Sequence, residues 1–352
     1  MARIYIGGAG GAPSNGFIRS LRESARTDYL IGASSSPTDL FLANTDEIHP
    51  VPTAKDARYA SAVTRLWQQS KPDFIHVQHD YEVRAISQMR ETLNQMGIRY
   101  FLPDHEVIEN CVNKLKSYYI WKAAGIPVAE TIVLKDADDL SVAFKTLGPK
   151  IWLRATEGAG GSGALPTDDP KFAEHWITHF KGWGHFTASR LLSKDTVTWL
   201  SIWHRGELVV AQGRKRLSWN FGDRTLSGVT GVTGVGQTCS DPLVDRIAQD
   251  AVHAIDKCPH GVFGVDMTYD FEGRPHVTEI NIGRFFTTHY FFTKAGLNMP
   301  EIYTNIALDG VFPSLPKRIN PLPDDLLWIR GMDSDPVLIP LEKLKDLIDA
   351  HP

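Results

Sequence analysis

Apolar and polar positions alternate along this chain with two different periods, and the period changes with position. The apolar run Ile4 to Ile6 breaks at once into glycine, and Phe17, Ile18 and Leu21 follow at helical spacing, which predicts a strand, a tight turn and a helix beginning near Ser14. Further strands are expected at Tyr29 to Ile31, Phe74 to Val77 and Arg99 to Leu102, with amphipathic helices near 57–69 and 82–95 between them. Such alternation predicts a parallel α/β sheet.

After residue 110 the pattern shifts. A helix from Lys114 to Ala124 runs into Gly125-Ile126-Pro127, followed by a strand at Thr131 to Leu134, a helix, and a strand at Lys150 to Arg154. Period-two runs then dominate at Val197 to Trp203 and Leu208 to Ala211, and 261–281 reads as a hairpin turned at Glu272-Gly273, so an antiparallel sheet is expected. Past Val311 the chain carries Pro313, Pro316, Pro321 and Pro323, then a strand-like Leu326 to Arg330 and a short helix near 341–349.

Length and composition narrow the function classes. With 352 residues, two or three domains are expected. A net charge of -4 supplies no broad positive field and argues against nucleic acid as a partner. Cys111, Cys239 and Cys258 are odd in number and show no C-x-x-C spacing, so no disulfide framework or zinc site is expected and a reducing, cytoplasmic compartment fits. No apolar run approaches the ~20 residues of a membrane span, and the amino terminus does not read as a signal peptide.

Three stretches carry candidate chemistry. The Gly7 to Pro13 turn fails as a dinucleotide fingerprint, because a G-x-G-x-x-G read from Gly8 ends on Pro13 and Ala33-Ser34-Ser35-Ser36 offers no acid after the second strand. It reads instead as a tight turn in which Gly10 and Gly11 contact substrate. The glycine run 158–163, which includes Gly160, Gly161, Ser162 and Gly163, follows a strand ending in Arg154, so its amides suit a phosphate lid; a surface linker is the other reading. In the hairpin, period-two spacing turns Glu279 and Asn281 to one face with Asp266 in reach, three hard oxygen donors of the kind Mg²⁺ prefers. Arg214, Arg216 and Arg224 flank Trp219 and suit either an acidic substrate or a solvated strand edge. His76, His79, His175 and His179 have metal-like spacings without a cysteine partner and read as structural or substrate-side.

In their order, four of these features resemble the ATP-grasp superfamily, and within it single-copy relatives of the carbamoyl phosphate synthetase large subunit: the Gly7 to Pro13 opening, Asn113-Lys114 before a helix ending in Gly125-Ile126-Pro127, Arg154 with the glycine loop, and Glu279-Ile280-Asn281. The resemblance covers roughly residues 1–310 and implies a Rossmann-like pre-ATP-grasp domain at 1–112 with a parallel α/β sheet. Two α+β ATP-grasp subdomains follow, a lid at 113–192 and a larger one at 193–310 with the metal site, leaving 311–352 as an extension. It further implies that Lys114 and Arg154 contact ATP phosphates, that the backbone at Arg190, Leu191 and Leu192 recognises adenine, and that Asp266, Glu279 and Asn281 bind Mg²⁺, with Mn²⁺ as a substitute. The family's ribose-binding acid has Asp195 as its nearest candidate, although Ser193-Lys194-Asp195-Thr196 departs from the usual glycine-x-glutamate. Where many relatives have proline and arginine after the asparagine, this chain has Ile282-Gly283-Arg284, and Arg284 is expected to orient an acyl phosphate. The implied activity is ATP-driven joining of a small carboxylate to an amine with release of ADP, in a homodimer. Carbamoyl phosphate synthesis from bicarbonate and a non-catalytic nucleotide-binding role are the alternatives.

Overall fold

The computed structural model describes residues 1–158, 161, 163–331, 337–343 and 345. In chain order its first part holds β1 (Arg3–Gly7), α1 (Ala12–Arg22), β2 (Tyr29–Ser34), β3 (Glu47–Pro50), α2 (Tyr59–Ser70), β4 (Phe74–His76), α3 (Asp80–Gln88), α4 (Arg90–Gln95) and α5 (His105–Val112). The four strands form a parallel sheet in the order β3-β2-β1-β4. Ile4, Tyr5 and Ile6 are all fully buried, as a parallel strand covered on both faces requires. Arg99 to Leu102 does not form the expected strand. It makes one parallel bridge, Phe74 to Arg99, before Pro103 ends the extended run. The single helix expected over 82–95 is broken into α3 and α4 at Met89.

The middle of the chain contributes α6 (Lys114–Ala123), β5 (Thr131–Leu134), α7 (Ala137–Leu147), β6 (Ile151–Ala155), β7 (Leu165–Thr167), α8 (Pro170–His179) and β8 (Phe186–Arg190). Its antiparallel sheet runs β5-β8-β6-β7. The apolar cluster beneath it, from Leu134 to Ala188, is separate from the other two cores, so this sheet is stabilised by its own layer. α7 and α8 start at Asp136 and Asp169, whose carboxylates accept from backbone amides in the first turn.

The rest comprises β9 (Thr196–His204), β10 (Glu207–Trp219), β11 (Thr233–Cys239), α9 (Pro242–Ile255), β12 (Gly261–Tyr269), β13 (Pro275–Ile282), α10 (Tyr290–Lys294), α11 (Met299–Asp309), β14 (Leu326–Ile329) and β15 (Val337–Pro340). Seven antiparallel strands stand in the order β13-β12-β9-β10-β11-β14-β15. Residues of the proline-rich tail therefore enter this sheet, with β14 paired to β11. Large-sheet residues such as Trp199 and Ile280 share one core with Tyr5 and Trp67 of the first part, so these two layers pack as a unit. The three cysteines are free, and among the described residues no helix is long and apolar enough to cross a membrane.

Candidate functional site

The β12–β13 hairpin forms as its alternation predicts. Asp270 shapes its turn by accepting from the amides of Glu272 and Arg274 at 2.9 and 2.8 Å, and Gly273 supplies the positive φ of 80°. Asp266 stands directly opposite Glu279, and its Oδ2 accepts from Asn281 Nδ2 at 2.9 Å. The row continues across the sheet: Asp266 is opposite Thr198 on β9, and Thr198 is opposite Arg214 on β10. Four polar side chains from four strands thus lie side by side.

Their hydrogen bonds have a fixed sense. Arg214 Nη2 donates to Thr198 Oγ1 at 2.7 Å, so the hydroxyl proton is left to go to Asp266 Oδ1, with which Thr198 makes a short contact. Asn281 in turn directs Nδ2 at Asp266 and keeps Oδ1 free to accept from Arg284 Nη2 at 2.5 Å. Arg284 also grips Asp80, at the start of α3, through Nε and Nη2. Burial raises the Asp80 carboxyl pKa, but the Arg284 and Lys114 cations outweigh it and hold the group below its ordinary value.

Lys114 opens α6, where the Asn113 side chain caps the helix by accepting from the amides of Leu115 and Lys116 at 3.1 Å. Its Nζ donates to the Gly158 carbonyl at 2.7 Å and lies 3.3 Å from Glu279 Oε2. The lysine therefore links the base of the glycine loop to the hairpin. Arg154, at the end of β6, reaches the same hairpin, donating to the Thr278 carbonyl at 3.2 Å. Burial acts against the Glu279 charge, yet Lys114 and Arg154 outweigh it and the carboxyl pKa is lowered. Burial lowers the Arg154 pKa as well, with Glu279 opposing.

One of the three arginines expected to meet an acidic substrate, Arg214, needs correction. Arg214 is 1% exposed and holds Thr198 and Thr233 rather than facing solvent; burial, aided by Arg216, pushes its pKa down to about 9. Arg224 lies on an exposed turn against Phe221, 5.0 Å from the ring centroid, away from the polar row's hydrogen bonds. Arg216 does face the row: it stacks on Trp219 at 3.7 Å and comes within 3.8 Å of Asp266 Oδ1.

The remaining expected residues are dispersed. Gly160 and Ser162 lie outside the described residues; Gly161 and Gly163 have φ of 71° and 72°, and a Cβ on Gly161 would meet Val229 at 3.1 Å. Gly10 is required by packing, since its Cβ would fall 1.9 Å from the Asp39 carbonyl oxygen, and Gly11 caps α1. Arg190 ends β8 with its amide bonded to the Glu130 carbonyl, Leu191 and Leu192 follow half-buried, and Asp195 is exposed with its carbonyl accepting from Tyr269. His76 is buried in a stack with Phe17, and His79 caps α3. Among the described residues no three His, Cys, Asp or Glu side chains group as a metal site; the oxygen cluster here is two carboxylates and one amide.

Sequence reasoning passed over Asp80 and Thr198. A signal for Asp80 existed: it lies just past the carboxyl end of β4, the edge where open α/β sheets place ligands. Nothing local marks Thr198, whose role depends on register.

This arrangement, a small antiparallel sheet with its own core facing a large one that carries acids and is preceded by a parallel sheet, is found in solved structures. Biotin carboxylase from Campylobacter jejuni, solved as a β-γ-ATP complex, superposes with a TM-score of 0.71 at 16% identity, over 94% of this chain and 75% of that one. N5-carboxyaminoimidazole synthetase from Staphylococcus aureus, complexed with ADP, gives 0.71 at 17% identity over 100% and 86%. L-amino acid ligase from Bacillus licheniformis gives 0.66 at 15% over 98% and 85%. The chain has the ATP-grasp fold. No family model matches its sequence, and no curated protein does. At these identities the likeness is one of fold.

Proposed function

We propose that this chain is an ATP-grasp ligase: it activates a small carboxylate as an acyl phosphate with Mg·ATP, releases ADP, and passes the acyl group to an amine. The observation that carries the reading is Lys114, which ties the glycine loop at Gly158 to Glu279 beside the Asp266–Asn281 pair. Cations and hard oxygens then meet where a triphosphate and its metal need each other.

The residues fit a magnesium ion by donor chemistry. Glu279 is held ionised, Asp266 offers its remaining lone pairs, and the hydrogen bond to Asp266 fixes Asn281 with its oxygen toward Arg284 and a second lone pair left to accept. Asp266, Glu279 and Asn281 would hold Mg²⁺, or Mn²⁺ in its place, and the ion supplies neutralisation of phosphate charge. Lys114 exchanges its contacts for ATP phosphate oxygens, Arg154 and the 158–163 loop close over them, and the Arg190–Leu192 backbone with Asp195 receives the nucleoside. Arg284, oriented by Asp80, faces the acyl phosphate oxygens. The carboxylate oxygen attacks the γ-phosphorus as ADP leaves; the amine nitrogen then attacks the acyl carbon, phosphate leaves, and the amine proton is lost. Arg216, with its charge beside Trp219, is placed for the acidic substrate.

The division at 112/113, 192/193 and 310/311, a homodimeric assembly and a cytoplasmic location complete the proposal; the three free cysteines support a reducing compartment. Calorimetric titration with ATP, with and without Mg²⁺, tests it. Binding should need Mg²⁺ and weaken in Glu279→Gln, and carboxylates should then yield hydroxamates with hydroxylamine. NADPH binding without ATP binding would overturn the reading.

A further inference from the structure

At the end of α6 opposite Lys114 lies a second concavity, with a volume of about 560 Å³. That volume is within the range of small-molecule sites. Three elements wall it: the Gly125–Pro127 exit from α6, one face of α9, and Arg274 in the hairpin turn just before β13. Hydrogen bonds fix their spacing. Trp121 Nε1 donates to the Ala251 carbonyl at 3.1 Å, tying α6 to α9, and the Val277 amide donates to the Pro127 carbonyl at 2.8 Å, tying the exit to β13. Trp121 and Ala251 are both buried, so the cavity is built into close packing.

Its lining is divided by character. The floor is apolar: Ile247 is buried, and Ile126 and Leu243 are half-buried beside it. The rim is cationic. Arg246 and Asp250 stand one turn apart on α9, Lys257 follows just past its end, and Arg274 comes from the hairpin; all four are exposed. None of these four side chains makes an ion pair or a hydrogen bond among the described residues. His253, also in the lining, packs its ring edgewise with Trp203 at 5.0 Å between centroids. In the polar cluster Lys114, Arg216 and Arg284 each meet an acid, whereas three cations here share one that stands apart from them. A concavity rimmed mainly by one sign focuses its field, here against a chain whose net charge is -4.

We propose that this cavity is a second binding site, for a small organic anion: an acidic head, phosphate ester or carboxylate, on an apolar body. The head takes Arg246 and Arg274, whose planar guanidinium groups each offer parallel N–H donors, with Lys257 as a point charge. The body covers Ile126, Leu243 and Ile247. Asp250 reduces the charge of the rim without cancelling it. At 1.5 Å per residue, α6 interposes about 15 Å between Lys114 and the cavity, so one small ligand does not fill both places. At that distance the bound anion is not a reactant of the polar cluster, and the site stands whether or not that cluster binds Mg·ATP.

The test uses the full chain with ¹³C-methyl isoleucine, the Ile126 and Ile247 resonances being assigned through Ile126→Val and Ile247→Val. Phenyl phosphate should shift both saturably, with affinity roughly tenfold above inorganic phosphate, which has no body to cover the apolar floor. Arg246→Gln and Arg274→Gln should each weaken it about tenfold, with the circular dichroism spectrum preserved. Benzoate in a parallel titration distinguishes the two head groups, the tighter binder naming the ligand's acid. Glu279→Gln, in the polar cluster, should leave the response intact. The site is overturned by no saturable shift with either organic anion, by equal affinity for phenyl and inorganic phosphate, by binding that survives both arginine substitutions, or by loss of the response in Glu279→Gln.

Discussion

Replacing Thr198 by valine is the sharpest probe of the polar row. The side chain is fully buried and valine has the same shape, so no cavity or clash is created. What is lost is one hydroxyl between two charges: it accepts from Arg214 Nη2 at 2.7 Å and donates to Asp266 Oδ1. Hydrogen bonds to charged groups contribute about 1.5–3 kcal/mol each, and Arg214, whose Nε already lacks a partner, would keep only Thr233. The expected loss is about 3 kcal/mol, roughly a hundredfold in the folding equilibrium. Urea unfolding followed by the buried Trp199 and Trp203 should show a lower midpoint at unchanged slope. Arg214→Met should also destabilise. The double variant should lose about 1–2 kcal/mol less than the two single losses added, because valine and methionine form an apolar pair without a stranded charge. A Thr198→Val protein within about 0.5 kcal/mol of wild type, or strict additivity in the double variant, would refute the relay.

Three further outcomes are expected. Lys114→Met removes the amine that contacts Gly158 and Glu279 and should weaken Mg·ATP binding about a hundredfold by calorimetry, with the circular dichroism spectrum preserved. Gly10→Ala puts a Cβ 1.9 Å from the Asp39 carbonyl oxygen at a φ of 91°, so a thermal melt should show a loss above about 2 kcal/mol. Finally, burial raises the Glu82 carboxyl from 4.5 to about 7, so the folded state holds a proton that the unfolded chain has released; wild-type stability should fall as pH rises through this window, by up to about 3 kcal/mol, and urea midpoints for Glu82→Gln should lack that component.

How much of this was readable from the sequence depends on the range of the interactions. The β12–β13 hairpin was legible because its turn is four residues of local chemistry, with Asp270 accepting from Glu272 and Arg274, and because a period of two settles which side chains share a face. The β1 turn and α6 were legible for the same reason, since glycine at positive φ and an Asn113 cap are local devices. Residues 99–102 misled because Tyr100, Phe101 and Leu102 look like a strand while Pro103 removes the donor needed to continue one.

The row of Arg214, Thr198, Asp266 and Glu279 obeys a different logic. Each neighbour relation needs the register of a separate strand pair, and the β9–β10 pairing slips between Leu208 and Val210, so counting along either strand from the loop would misalign the pair. That is why Arg214 read as a substrate arginine: followed by Lys215 and Arg216 it belongs to a basic run, and only the sheet turns it inward while Arg216 meets Trp219 near the site. The tail behaves alike, since Leu326 to Ile329 announces a strand but not its partner β11. Charge matching supplies a criterion that register does not. A buried acid is tolerated when a cation or several donors accompany it, and one with neither is driven by burial toward its protonated form. Applied here, the criterion separates Asp80, Asp266 and Glu279, each with its own cation, from Glu82, whose carboxyl burial pushes up to about 7.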